Sequence, residues 1–149
     1  MTQGSGKAVV HYAKSNLWIG ISPGGHAQTL DTDHERGSAA TPLELLLIAL
    51  GGCTAYDVIA ILEKKRERIT DYRVEVSGER RDDYPRSFRI LNVHHVITGR
   101  GVSSAAVAKA IELSETKYCS VAATLRPAAE IVSSFEIIEA DEAPEKLGG

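Results

Sequence analysis

Thr41-Pro42-Leu43-Glu44-Leu45-Leu46-Leu47-Ile48-Ala49-Leu50-Gly51-Gly52-Cys53-Thr54-Ala55-Tyr56-Asp57-Val58 is the stretch on which the reading of this 149-residue chain turns. It opens as a helix. Thr41 suits the N-cap, Pro42 the first helical position and Glu44 the reciprocal place of a capping box. The helix is expected to run to about Arg68. From Leu45 to Leu62 nearly every residue is apolar or small, with Thr54 and Asp57 the exceptions. A helix apolar all round is expected to be buried on most sides. About 25 residues at ~1.5 Å each span roughly 37 Å, which is long for so small a domain. The run Glu63-Lys64-Lys65-Arg66-Glu67-Arg68 falls in the last turns, where cations complement the negative end of the helix dipole. That role accounts for the charges without nucleic acid.

Toward the N-terminus, Lys7–Tyr12, Leu17–Ser22 and His26–Leu30 are short strand candidates, with Pro23-Gly24-Gly25 as turn chemistry between the last two. Asp31–Ala40 is a polar loop. Toward the C-terminus, Tyr72–Glu79 alternates at period two and Phe88–Thr98 is its expected hairpin partner, broken from it at Asp82-Asp83-Tyr84-Pro85. Ser103–Lys117 has helical periodicity. Tyr118–Val121 starts another helical turn that Pro127 ends, and Ile131–Ala140 is a last strand. Strands, a long helix, strands, helices and a strand give an α+β class, without the regular alternation of a parallel α/β sheet.

Composition bounds the function. Hydrophobic residues are 43% and charged residues 25%, with net charge −3. These are values of a soluble globular chain without a polyanion-binding footprint. One domain over 1–140 is expected, with 141–149 an acidic, frayed tail. The N-terminus lacks the apolar core of a secretory signal, and the strongly apolar run Leu45–Leu50 falls short of the ~20 residues of a membrane helix. The expectation is a cytoplasmic protein with no membrane or nucleic-acid partner.

Two cysteines, Cys53 and Cys119, stand 66 positions apart. In a reducing compartment transient thiol chemistry is more plausible than a permanent disulfide. Cys53 follows Gly51-Gly52, and two glycines inside a helix cost roughly 1 kcal/mol each against alanine. Either a kink opens beside the sulfur or another backbone packs closely. Otherwise Cys53 is a small core residue. Cys119 sits between two helical patterns, where helix-start amides could lower a thiol pKa; the alternative is a buried structural thiol. Asp57, one turn after Cys53, would raise a thiol pKa unless a cation intervenes. Arg36 is the candidate cation, or else an exposed loop charge. Glu44 and Cys53, nine residues apart, lie on opposed faces and ~13.5 Å apart along an unbroken helix. They share a site only through a break at Gly51-Gly52 or across two chains. His94 and His95 point to opposite faces of their strand, and His11, His26 and His34 have no ligand spacing, so no metal is expected. No phosphate-binding or dinucleotide loop is present, so no cofactor is expected.

The stretch Thr41–Val58 resembles the centre of the OsmC/Ohr family, the osmotically inducible and organic hydroperoxide resistance proteins. Ser77-Gly78-Glu79-Arg80-Arg81-Asp82-Asp83-Tyr84-Pro85-Arg86 and Ala110-Ile111-Glu112-Leu113-Ser114-Glu115-Thr116-Lys117-Tyr118-Cys119-Ser120-Val121 resemble its OsmC-like branch. The resemblance runs from about residue 7 to 139. It implies antiparallel sheets wrapped around long central helices in an intertwined homodimer, with two active sites at the subunit interface. It also implies a peroxidatic Cys53, a resolving Cys119 and Glu44 orienting an arginine, for which Arg36 is the candidate; otherwise the thiolate lacks its cation. The substrate would be an organic hydroperoxide and the reductant an external dithiol such as a lipoylated protein. Arg36 stands only six residues before Pro42, closer than the family's arginine; Asp33 is nearer the usual place. A non-catalytic protein binding a small apolar ligand at the dimer interface is the alternative.

Overall fold

The computed structural model describes residues 6–141. The 142–149 part of the expected tail lies outside the described residues. The chain divides into two compact units, Met1–Leu46 and Leu47–Gly149.

In the first unit, β1 (Val9–Tyr12), β2 (Leu17–Ile21) and β3 (Ala27–Asp31) form an antiparallel sheet in that order. The β1–β2 turn is carried by Lys14, Ser15 and Asn16, all at positive φ (69°, 51° and 61°) although none is glycine. The β2–β3 turn uses Pro23-Gly24-Gly25, with Gly25 at φ 86°. The unit ends in the first turn of helix α1 (Pro42–Lys64), which has the expected capping box. The Glu44 amide donates to Thr41 Oγ1 at 3.2 Å and the Thr41 amide to Glu44 Oε1 at 3.4 Å.

Three features of the helix bear on these expectations. It ends at Lys64 rather than near Arg68. Arg66 adopts a left-handed conformation (φ 61°), its amide bonds to Glu63 O at 2.9 Å and the Glu67 amide to Leu62 O at 3.0 Å. This pair of bonds is a Schellman stop, built here on arginine where glycine usually marks it. Second, α1 runs unbroken through Gly51-Gly52. Gly51 instead allows close packing, since a Cβ there would lie 3.1 Å from Val76 Cγ2. Third, the helix is buried along one stripe only. Leu50, Gly51, Thr54, Val58 and Leu62 are buried, whereas Ile48 is 64% and Tyr56 73% exposed. The apolar run is also longer than Leu45–Leu50. By length and composition α1 could cross a membrane, with an 18-residue stretch at mean hydropathy 2.1. Here Val58 and Leu62 instead pack in a protein core with Ile97, Val107, Ala110 and Ile111.

In the second unit β4 (Arg68–Arg80) and β5 (Phe88–Arg100) form the expected antiparallel hairpin. β6 (Glu130–Glu139) pairs with β5 in parallel, which departs from the all-antiparallel expectation. The reason is the connection. Helix α2 (Ser104–Leu113), a π-turn (Ser114–Tyr118) and helix α3 (Ser120–Leu125) carry the chain back across the sheet, as a parallel pairing requires. Leu91, Val93, His95 and Ile97 are buried along one side of β5. The expected continuous helix from Ser103 to Lys117 is thus replaced, over its last third, by the wider π-turn.

Candidate active site

The second unit brings the two cysteines together. Cys53 is half-buried on α1, and Asp57 follows it by one turn. Cys119 is 3% exposed at the junction of the π-turn and α3. The π-turn sets its place: the Cys119 amide donates to Ser114 O at 2.8 Å, five residues back. The backbone then leaves the helix (φ −75°, ψ 100°), so the side chain caps α3 and Sγ accepts from the Ala122 amide at 3.3 Å. Cys53 Sγ, Cys119 Sγ and a carboxylate oxygen of Asp57 all lie within 4.8 Å of one another. Both thiols are free. A disulfide needs ~2.05 Å between sulfurs, so closing this pair is a movement of rotamer scale.

The electrostatics differ from the helix-start expectation for Cys119. The Ala122 amide does favour the thiolate, but burial outweighs it. Helped by the neighbouring Cys53 and Asp57, burial pushes the thiol up to about 11. Asp57 acts on thiol chemistry as its sign predicts.

A buried hydroxyl chain holds Asp57. Ser114 Oγ donates to Asp57 Oδ2 at 2.9 Å, and Thr54 Oγ1 lies 3.0 Å from Ser114 Oγ. Serine has one hydroxyl proton, so with that proton on Asp57 the Thr54 hydroxyl is the donor to Ser114. Thr54 is 4% exposed and Ser114 fully buried. Beside this chain the core holds a second polar pair, Tyr72 OH and His95 Nδ1 at 2.7 Å. Burial, then the Asp57 charge, raises the Tyr72 hydroxyl pKa and keeps it protonated.

Arg36 and Glu44 belong to the first unit. Arg36 forks onto Asp31, with Nε donating to Oδ2 at 2.9 Å and Nη2 to Oδ1 at 2.8 Å. Nη2 also donates to Ser15 O at 2.6 Å, and Nη1 approaches Asp33 Oδ2 at 4.0 Å. The fork, followed by the Ser38 hydroxyl, holds the buried Asp31 carboxyl well below the usual carboxylate range. In this unit Arg36 is therefore a structural clamp rather than a free loop charge. Glu44 caps α1, its side chain accepting from the Thr41 amide.

Sequence reading missed Ser114 and Thr54, because the Ser114 bond to Asp57 and the Thr54 bond to Ser114 depend on the register of the π-turn. It also missed that Cys53, Asp57 and Cys119 form a donor set, two thiols and a carboxylate, of a kind that could hold a metal ion. His94, next to His95 on β5, bonds Ser134 and Glu136 on the other face.

The family model described as OsmC-like protein matches residues 35–134. Protein YhfA of Escherichia coli strain K12 is 41% identical over 134 residues, covering 90% of this chain and 99% of YhfA. A hypothetical protein from Aquifex aeolicus VF5 superposes with a TM-score of 0.81 at 26% identity, over 91% of this chain and 98% of that one. An organic hydroperoxide resistance protein OsmC from Legionella pneumophila superposes with a TM-score of 0.66 over 91% and 99% of the two chains. At 13% identity, that last likeness is one of fold.

Proposed function

The chain belongs to the OsmC-like protein family, and on that footing we propose that it is a thiol-dependent peroxidase for organic hydroperoxides, with Cys53 peroxidatic and Cys119 resolving. The observation that carries the reading is the meeting of two sulfurs 66 positions apart within 4.8 Å, with a carboxylate beside both. The Cys53 thiolate attacks the O–O bond, taking one oxygen as a sulfenic acid and releasing the alcohol. Cys119 then displaces water to form the disulfide. An external dithiol, such as a lipoylated protein, returns both thiols. Cys53 is the attacking group because it is the more exposed of the two, and because burial holds Cys119 protonated.

The substrate class, organic hydroperoxides, enters by the family resemblance. A cavity of about 470 Å³ opens along α1, lined by Leu47, Ile48, Ala55, Val74 and Val76 with the two glycines, and neither cysteine is among its lining residues. The exposed Ile48 and Tyr56 on the same helix support a second copy as a partner, hence a homodimer. Arg36 and Glu44 enter by resemblance, as the thiolate's cation and the carboxylate that orients it. Their partners Asp31 and Thr41 compete with those roles. A soluble cytoplasmic enzyme of oxidative-stress defence completes the proposal. The apolar cavity favours a second reading, a binding protein for a small apolar ligand.

Turnover distinguishes the two. Reduced protein with cumene hydroperoxide and dihydrolipoamide should consume peroxide catalytically, at least about 10²-fold faster than an equal concentration of free cysteine. Stoichiometric binding of the intact hydroperoxide without consumption would support the binding reading instead.

A further inference from the structure

We propose that Asp57 is the proton shuttle of the resolving step, held in place by Ser114 and Thr54. The inference rests on the peroxidase reading and assigns one catalytic and two positioning residues within it.

The second half of the cycle has a proton problem. Cys119 must lose its proton to attack the Cys53 sulfenic acid, and the departing hydroxyl must gain one to leave as water. Cys119 is 3% exposed, so bulk solvent is a poor acceptor. The ionisable groups acting on its thiol are Cys53 and Asp57, and Cys53 is by then the electrophile. Asp57 is left as the base. Its carboxylate reaches both sulfurs within 4.8 Å, so the oxygen that accepts the Cys119 proton also stands beside the group that needs it.

The hydroxyl chain supports this use of Asp57. Among the described residues Ser114 is its only hydrogen-bond donor, and the bond goes to Oδ2. Among the described residues Oδ1 has no hydrogen-bond donor. Thr54 spends its proton on Ser114, which fixes the direction of the chain toward the carboxylate. Thr54 and Ser114 are buried on two different elements, α1 and the π-turn, so the carboxylate is tied to the segment that carries Cys119. This gives the π-turn a purpose: it presents Ser114 and Cys119, five residues apart, to the same carboxylate.

The step balances. The Cys119 S–H proton passes to Asp57. The Cys119 sulfur attacks the Cys53 sulfur, the S–S bond forms and the Cys53 S–O bond breaks. The hydroxyl takes the proton from Asp57 and leaves as water. Thiol and sulfenic acid become disulfide and water, and Asp57 is regenerated.

Single-turnover quench experiments on the full chain test this. Reduced protein is mixed with one equivalent of cumene hydroperoxide, and each time point is divided between dimedone trapping of sulfenic acid and intact-mass detection of disulfide. In Asp57→Asn, sulfenic acid should form as fast as in the unsubstituted protein, or faster with a like charge removed from beside the thiolate. Its conversion to disulfide should slow by about 10²-fold or more. Ser114→Ala leaves the base present but untethered, so resolution alone should slow, by a smaller factor. Disulfide formation at the original rate in either variant overturns the proposal while leaving the peroxidase reading intact. Failure of the unsubstituted protein to form any sulfenic acid or disulfide overturns both.

Discussion

Cys53→Ser should abolish hydroperoxide consumption, lowering turnover by at least about 10³-fold, while the variant keeps its fold. The reaction needs a polarisable thiolate to enter the O–O bond, and a serine hydroxyl at the same place offers neither the charge nor the polarisability at neutral pH. The chain holds only two cysteines, and the other one is buried and held protonated near a pKa of about 11. Cys119 therefore cannot take over the attack. The fold should tolerate the exchange, because Cys53 is half-buried and makes no hydrogen bond within the buried Thr54–Ser114–Asp57 chain. Cys119→Ser should behave differently. It should still consume one equivalent of hydroperoxide and stop at a Cys53 sulfenic acid, about 16 Da heavier and trappable by dimedone. Full turnover by Cys53→Ser would place the chemistry elsewhere.

Acidification should cost this protein about 3 kcal/mol of stability through one histidine. His95 is fully buried, Nδ1 is paired with the Tyr72 hydroxyl, and Nε2 has no partner among the described residues. Burial, with a smaller contribution from His94, lowers its pKa from 6.5 to about 4. The lowered pKa fixes the sign. Between about pH 6.5 and 4 the unfolded chain takes up a proton that the folded one refuses, so stability is complete above this window and lost as pH falls through it. A shift of that size converts to about 3 kcal/mol at ~1.36 kcal/mol per unit. His95→Asn keeps an acceptor for Tyr72 but does not titrate. Urea unfolding at pH 7 and pH 4 should show a loss for the parent protein that exceeds the variant's by that amount. Equal losses would mean that His95 is charged in the folded state.

Much of the fold was legible because its signals are local. Thr41, Pro42 and Glu44 mark the helix start by side-chain chemistry within one turn, and the structure has that capping box. The alternation of β4 and the apolar face of β5 are equally local. What was not legible depends on distant geometry or on an unusual residue. The helix stop at Lys64 has no sequence flag because arginine, not glycine, takes the left-handed position at residue 66. The parallel pairing of β5 and β6 follows from the path of α2 and α3, which periodicity does not report.

The site divides in the same way. Cys53 and Asp57 are one helical turn apart, so their proximity is written in the spacing. Cys119, Ser114 and Thr54 join them only through the π-turn, whose extra residue per turn shifts every later side chain. The sequence offers Arg36 as a candidate cation or an exposed loop charge and does not show its partner, Asp31, five residues back at the end of β3. Only the loop between them brings the two side chains into a fork.

The central claim is that Cys53 and Cys119 are one redox couple. The direct measurement is intact mass with peptide mapping after reduced protein meets one equivalent of cumene hydroperoxide. The account predicts a loss of about 2 Da per chain and a single linked peptide pair joining Cys53 to Cys119. An unchanged mass, or a stable gain of about 16 Da at Cys53 with Cys119 still alkylatable, would contradict it.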